Sequence, residues 1–136
     1  MRFDVLTLFP DMFEAVTRYG VSGRAYAAAI WELHCWNPRD FTTRKMGYID
    51  DRPFGGGPGM VMQAAPLSAC LQQVDSRVGR RQHRVLLSPT GKPIQQADIR
   101  RLACYAGLSL VAGRYEGIDQ RFIDRDIDEA FALGDI

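Results

Sequence analysis

Two short stretches of this 136-residue chain combine glycine with side chains able to bind or react, Leu87-Ser88-Pro89-Thr90-Gly91-Lys92 and Gly113-Arg114-Tyr115-Glu116-Gly117. Glycine lets backbone approach a ligand closely, and Ser88 adds a hydroxyl. Glu116 adds a carboxylate that could accept a hydrogen bond from the N–H of a base, or pair with Arg114 or Arg121. Each stretch directly follows an apolar run with strand character, Arg84–Leu87 and Leu108–Ala112. In α/β proteins ligands bind at loops beyond the carboxyl ends of strands. The two stretches therefore read as walls of one pocket, the alternative being a pair of simple strand-to-helix turns.

A third stretch, Gly55-Gly56-Gly57-Pro58-Gly59, lies within a long loop over residues 37–63 that also carries Asp40, Asp50, Asp51, Arg39, Arg44, Lys45 and Arg52. It lacks the Gly-Lys-Ser/Thr ending of a phosphate-binding loop and does not join a strand to a helix as a dinucleotide fingerprint does. It reads either as backbone lying against a flat ligand such as a base or as a flexible loop. The three cysteines, Cys35, Cys70 and Cys104, form no CxxC pair, so a structural zinc site is not expected and reduced, partly buried thiols are. His34 reads as a residue on a strand face and His83 as part of a basic surface segment, neither with a catalytic role. Trp31 and Trp36 read as core.

The elements that must position these residues follow from periodicity. Residues 3–8 read as a buried strand, Pro10-Asp11 as a helix start, and Gly20 as the end of that helix. Ser22 is expected to cap a second helix through Ala25–Ile30, and Trp31–Trp36 alternates as a strand. Further helices are expected from Pro66 to about Val78, over Gln95–Ala106 and from about Asp119; Ser88–Pro93 is expected to be a turn. Alternating strands and helices predict an α/β fold with a mostly parallel sheet and flanking helices.

Bulk properties exclude several classes. Hydrophobic residues at 46% and charged residues at 24% suit a globular domain. No apolar run is long enough to span a bilayer and no signal-peptide pattern opens the chain, so no membrane partner is expected and the cytoplasm is the expected compartment. The net charge of +1 gives no global attraction for nucleic acid, yet 15 of the 17 basic residues are Arg, the side chain best shaped for phosphate. Arg77, Arg80, Arg81 and Arg84 surround His83, and residues 119–135 are rich in Asp and Glu. Such runs are usually solvated faces.

Several segments, in order and covering essentially the whole chain, resemble the bacterial tRNA (guanine-N1)-methyltransferase family, enzymes of the knotted SPOUT type. They are Leu8–Phe13, Asn37–Phe41, Asp50–Met60, Leu87-Ser88-Pro89 with Gly91, Gly113–Asp119 and Leu133-Gly134-Asp135. The resemblance implies a trefoil-knotted α/β fold and methyl transfer from S-adenosylmethionine to N1 of the guanosine immediately 3′ of the anticodon in tRNA. It implies a homodimer, with tRNA as substrate and S-adenosylmethionine as cofactor; Mg²⁺ stays open as a further cofactor, with no metal site legible. Carried over residue by residue, it places Leu87, Ser88, Pro89, Gly113, Glu116, Gly117, Leu133, Gly134, Asp135 and Ile136 around the donor. It places Asp50, Gly59, Arg114 and Tyr115 at the substrate and gives Glu116 an auxiliary catalytic role. Leu86 and Ile136 stand where the family commonly has aromatics, which alters the surroundings of the adenine.

The family's main general base and its partner Arg lie beyond the segment matching Leu133–Ile136. Residues 1–136 are therefore expected to be the donor-binding part of a longer enzyme, a fragment without the C-terminal tRNA-binding domain, with its knot incomplete and inactive alone. Two alternatives are a related knotted methyltransferase acting on ribosomal RNA and a non-catalytic RNA-binding or dimerisation remnant.

Overall fold

The apolar runs become the strands of one parallel sheet in the computed structural model, which describes residues 1–42, 50–51, 61–113 and 117–134. The strands are β1 (Arg2–Leu6), β2 (Glu32–Trp36), β3 (Asp50–Asp51), β4 (Val61–Met62), β5 (His83–Pro93), β6 (Gly107–Ala112) and β7 (Glu129–Ala132). The helices are α1 (Glu14–Thr17), α2 (Gly20–Ala27), α3 (Ala64–Val78), α4 (Gln96–Leu102) and α5 (Gln120–Asp126), with 3-10 turns at Pro10–Phe13 and Pro38–Phe41. The main sheet runs β2-β1-β6-β5-β7 with every neighbouring pair parallel, while β3 and β4 form a separate antiparallel pair. This is the expected α/β architecture.

Both faces of the sheet are covered, which is why its central strands are apolar nearly throughout. On one face Leu6, Leu86 and Val111 pack with Leu67, Cys70, Leu71 and Val74 of α3 and Phe122 of α5. On the other Val85, Leu108 and Phe131 pack with Leu102 of α4. The placement of α4 and α5 on opposite faces follows from strand order. The chain leaves β5 through α4 to reach β6 on one side, then leaves β6 through α5 to reach β7 on the other side of β5. Right-handed crossovers running in opposite directions must cover opposite faces. The loops leaving the carboxyl ends of β5 and β6 therefore diverge, and a crevice opens between them.

The structure corrects several boundaries. Gly20 does not end a helical stretch; it turns the chain once, with φ at +66°, and opens α2. Ser22 lies inside that helix, its hydroxyl donating to the Tyr19 carbonyl, and caps nothing. Helix α4 stops at Leu102 rather than Ala106, because Tyr105 turns to stack on His83 (centroids 4.3 Å apart) and the Ala106 carbonyl accepts from Arg2 N. The turn expected at Ser88–Pro93 is an irregularity within β5: Leu87 and Lys92 both register against Phe131, so the intervening residues loop outward before the strand rejoins β7. Gly91 permits this, since a Cβ there would lie 2.7 Å from the Phe131 amide nitrogen and 2.8 Å from the Ala130 carbonyl carbon.

The basic run around His83 and the acidic run 119–135 are not separate solvated faces. They meet at the amino end of the sheet and join β5 to β7. Arg81 pairs with Asp128 at 2.8 Å, Arg84 with Asp75 at 2.7 Å and Asp126 at 3.4 Å, and His83 and Arg101 both bond Glu129. His83 is thus half-buried in a charged clasp rather than on a free basic surface. Deeper in the sheet, fully buried Asp4 receives hydrogen bonds from Arg2, from Trp36 Nε1 at 2.9 Å and from Gln82 Nε2 at 2.9 Å. Burial alone would raise its pKa; these bonds outweigh it and hold the carboxyl below its ordinary value.

Candidate functional site at the carboxyl end of the sheet

The crevice predicted by strand order is a cavity of about 560 Å³, lined by Leu87, Ser88, Pro89 and Thr90 after the first part of β5, by Gly113 and Gly117 after β6, and by Ile118, Gln120 and Ile123 leading into α5. Its described lining carries no charged side chain. Ser88 and Thr90 share a hydroxyl–hydroxyl bond of 3.0 Å, and Thr90 N donates to Ser88 Oγ at 3.3 Å, so the outward loop is internally braced. A second cavity of about 230 Å³ uses Leu87, Ser88 and Pro89 again, with Ala132, Leu133 and Gly134 following β7. The β5 loop is the shared wall of the two.

Gly117 has φ at +144°, a conformation L side chains rarely adopt. Its carbonyl accepts from Met62 N at 3.0 Å, and Asp119 N donates to Met62 O at 3.0 Å. This backbone stitch fixes β4, and through it β3, against the rim of the crevice. Asp119 then caps α5, accepting from Arg121 N at 2.9 Å, and pairs with the Arg121 guanidinium at 2.6 Å. Arg121 lowers the Asp119 pKa first by its side-chain hydrogen bond and then through its backbone N–H.

Of the residues singled out in the sequence, Leu87, Ser88, Pro89, Gly113 and Gly117 line the first cavity, and Leu133 and Gly134 join the second. Asp50 lies apart from both, half-buried in β3 opposite Met62. Gly59, Arg114, Tyr115, Glu116, Asp135 and Ile136 lie outside the described residues. Ile118, Gln120 and Ile123 line the crevice without having been singled out as site residues, and so does Thr90, which the sequence placed in a pocket wall without giving it a role of its own. Thr90 had a legible signal, a hydroxyl two residues after Ser88; the others enter only because α5 packs over the crevice. Among the described residues no group of three or more His, Cys, Asp or Glu could hold a metal ion, and no helix is long and apolar enough to cross a membrane.

A ligand held here would meet open backbone from two strand ends, three uncharged polar side chains and apolar walls from Leu87, Ile118 and Ile123. The size falls within the ordinary range for small-molecule sites, roughly 300–1,000 Å³. Those features suit a nucleoside-bearing ligand, with a flat base against apolar side chains and polar atoms on backbone groups.

Comparison with known proteins bears on the family and the fold. The family model described as tRNA (Guanine-1)-methyltransferase TrmD matches residues 1–136. The chain is 48% identical over 135 residues to the tRNA (guanine-N(1)-)-methyltransferase of Pseudomonas fluorescens strain SBW25, and 50% identical over 135 residues to that of Methylococcus capsulatus; each alignment covers 99% of this chain and 54% of the relative. The chain thus spans about half the length of the curated relatives it matches. The crystal structure of the tRNA (m1G37) methyltransferase from Aquifex aeolicus superposes with a TM-score of 0.88 at 30% identity, covering 100% of this chain and 61% of that one. The chain belongs to the tRNA (guanine-1)-methyltransferase TrmD family.

Proposed function

We propose that residues 1–136 form the donor-binding domain of an enzyme that moves a methyl group from S-adenosylmethionine to N1 of the guanosine immediately 3′ of the anticodon in tRNA. One observation carries the reading: Leu87, Ser88, Pro89, Gly113, Gly117, Leu133 and Gly134, distant in sequence, converge from three adjacent strand ends on two adjoining cavities. Ser88 and Thr90 hydroxyls and the backbone at Gly113 and Gly117 would hold the polar atoms of the donor, and Ile118 and Ile123 would flank its base. The bound sulfonium compound supplies an electrophilic methyl group with its own leaving group.

The protein's part is alignment and proton management. Guanine N1 carries a proton at neutral pH and gains nucleophilicity when a positioned base removes it. Negative charge then develops on O6, where a cation lowers the barrier. The family resemblance gives Glu116 an auxiliary role and assigns the principal base to no residue of 1–136. Asp50, Gly59, Arg114 and Tyr115 are proposed to face the tRNA. The partner protomer is proposed to be a second copy, supported by the exposed apolar side chains Met12, Val16, Tyr19, Val21 and Ile30 crowded into one short stretch. The cytoplasm is the proposed compartment.

The test is calorimetric titration of the chain with S-adenosylmethionine, followed by titration with an anticodon stem-loop RNA bearing the guanosine or an adenosine in its place. Saturable donor binding with preference for the guanosine RNA is expected. Absence of donor binding, together with RNA binding indifferent to that base, contradicts the proposal.

A further inference from the structure

Helix α5 stands between two cavities of opposite character. Gln120 and Ile123 line the crevice whose described lining carries no charge, whereas Asp119, Arg121 and Arg125 line a separate cavity of about 470 Å³ with Asp51 and Gln63. Arg121 and Arg125 are four residues apart and so project from the same side of the helix. Each guanidinium is anchored. Arg121 is held by Asp119 at 2.6 Å, and Asp119 is itself fixed as the cap of α5. Arg125 donates to Ser68 Oγ at 2.7 Å and pairs with Asp126 at 3.2 Å, while Ser68 bonds Asp126 at 2.6 Å. Yet the two side chains remain 58% and 62% exposed. Anchoring without burial lowers the entropy lost when a planar fork meets an anion. The carboxylates of this wall are already engaged, Asp119 by Arg121 and Asp51 by Gln63 Nε2 at 3.1 Å.

We propose that Arg121 and Arg125 are positioning residues that grip consecutive phosphates of the RNA substrate and so set the target nucleotide over the donor crevice. The inference rests on the function proposed above and adds the residues that register the RNA. Phosphate contacts fix register without reading sequence, and the stitch of Met62 to Gly117 and Asp119 holds this cavity rigidly beside the crevice.

The test uses Arg121→Gln, Arg125→Gln, the double variant and the two Arg→Lys counterparts, with an anticodon stem-loop RNA titrated across a salt series and S-adenosylmethionine titrated separately. The plot of log affinity against log salt should flatten by about 0.7–0.9 for each Gln substitution. Lysine should restore the slope, and donor affinity should stay at the wild-type value. An unchanged slope in the double variant overturns the clamp, as does a loss of donor affinity in step with RNA affinity, which would mark a purely structural role. A wild-type chain that binds donor but no RNA also overturns the clamp and leaves the donor site standing. A wild-type chain that binds neither overturns the functional reading and the clamp with it.

Discussion

At the amino end of the sheet, charge meets charge: Arg81 with Asp128, Arg84 with Asp75 and Asp126, Arg101 and His83 with Glu129. At the carboxyl end, between β5 and β6, the described lining of the crevice holds no charge at all. Strand β5 runs through both regions, meeting the clasp at its start and walling the crevice farther on. The amino end joins its elements by ion pairs among its own side chains, and the carboxyl end turns backbone and uncharged hydroxyls toward a cavity. Stability and recognition are thus divided along the strands, and changes at one end should register in different measurements from changes at the other.

The largest effect on stability is expected from Asp4→Ala. It removes the acceptor of the Trp36 N–H and one of the two acceptors of the buried Gln82 amide, which keeps Ser109 Oγ at 3.1 Å, beside a deprived Arg2, and should cost about 3 kcal/mol in chemical denaturation. A smaller loss in Asp4→Asn, which keeps an acceptor, is expected to confirm the cause. Gly91→Ala should follow, at about 1–3 kcal/mol from overpacking, because the added Cβ meets the β7 backbone. Unlike Asp4→Ala, it should also weaken donor binding, since the β5 loop walls both cavities. If Gly91→Ala loses stability with donor affinity intact, the two regions are less tightly linked through β5 than argued.

Acid should act on the clasp and on Asp4. The Asp4, Asp128 and Glu129 pKa values are lowered in the fold. For Asp4 and Asp128 burial opposes the shift and hydrogen bonds prevail, whereas for Glu129 the Arg101 bond leads. A carboxylate whose folded pKa is depressed stabilises above its unfolded value and loses that contribution as pH falls through the folded one. Melting temperature should therefore hold from neutral pH to about 5 and drop below about 4.

Ser88→Ala should do the reverse of Asp4→Ala. Its stability cost should stay within about 0.5 kcal/mol, while the lost hydroxyl weakens the donor by about 0.5–1.5 kcal/mol in calorimetry. Smallest of all is a labelling result. Burial pushes the Cys70 thiol up to about 12, with Asp40 adding to the rise, and burial raises Cys35, while Cys104 is exposed. A thiol reagent should modify Cys104 alone in the native chain.

Much of this was legible in the residues, and the reasons for the remainder are specific. Strands β1, β5 and β6 announce themselves as apolar runs and β2 by its alternation, and the two loops after β5 and β6 carry their glycines in the sequence. Strand β7 does not: Glu129-Ala130-Phe131-Ala132 has two alanines and an acid, and it becomes a strand because β5 offers an edge and Arg101 and His83 hold Glu129. The clasp was invisible for the same reason, since the basic and acidic runs are joined by strand order and not by proximity in sequence. The length of β5 was misread because Pro89 and Gly91 signal a turn, and only the register against Phe131 shows the strand resuming.

The most direct test of the division is to titrate the isotope-labelled chain with S-adenosylmethionine and follow every backbone amide by NMR. The account predicts shifts concentrated at Ser88, Thr90, Gly113, Gly117 and Gly134, with the amides of His83, Tyr105 and Glu129 still. Shifts centred on the clasp instead, or saturating donor binding that leaves the β5 and β6 loops unmoved, would contradict it.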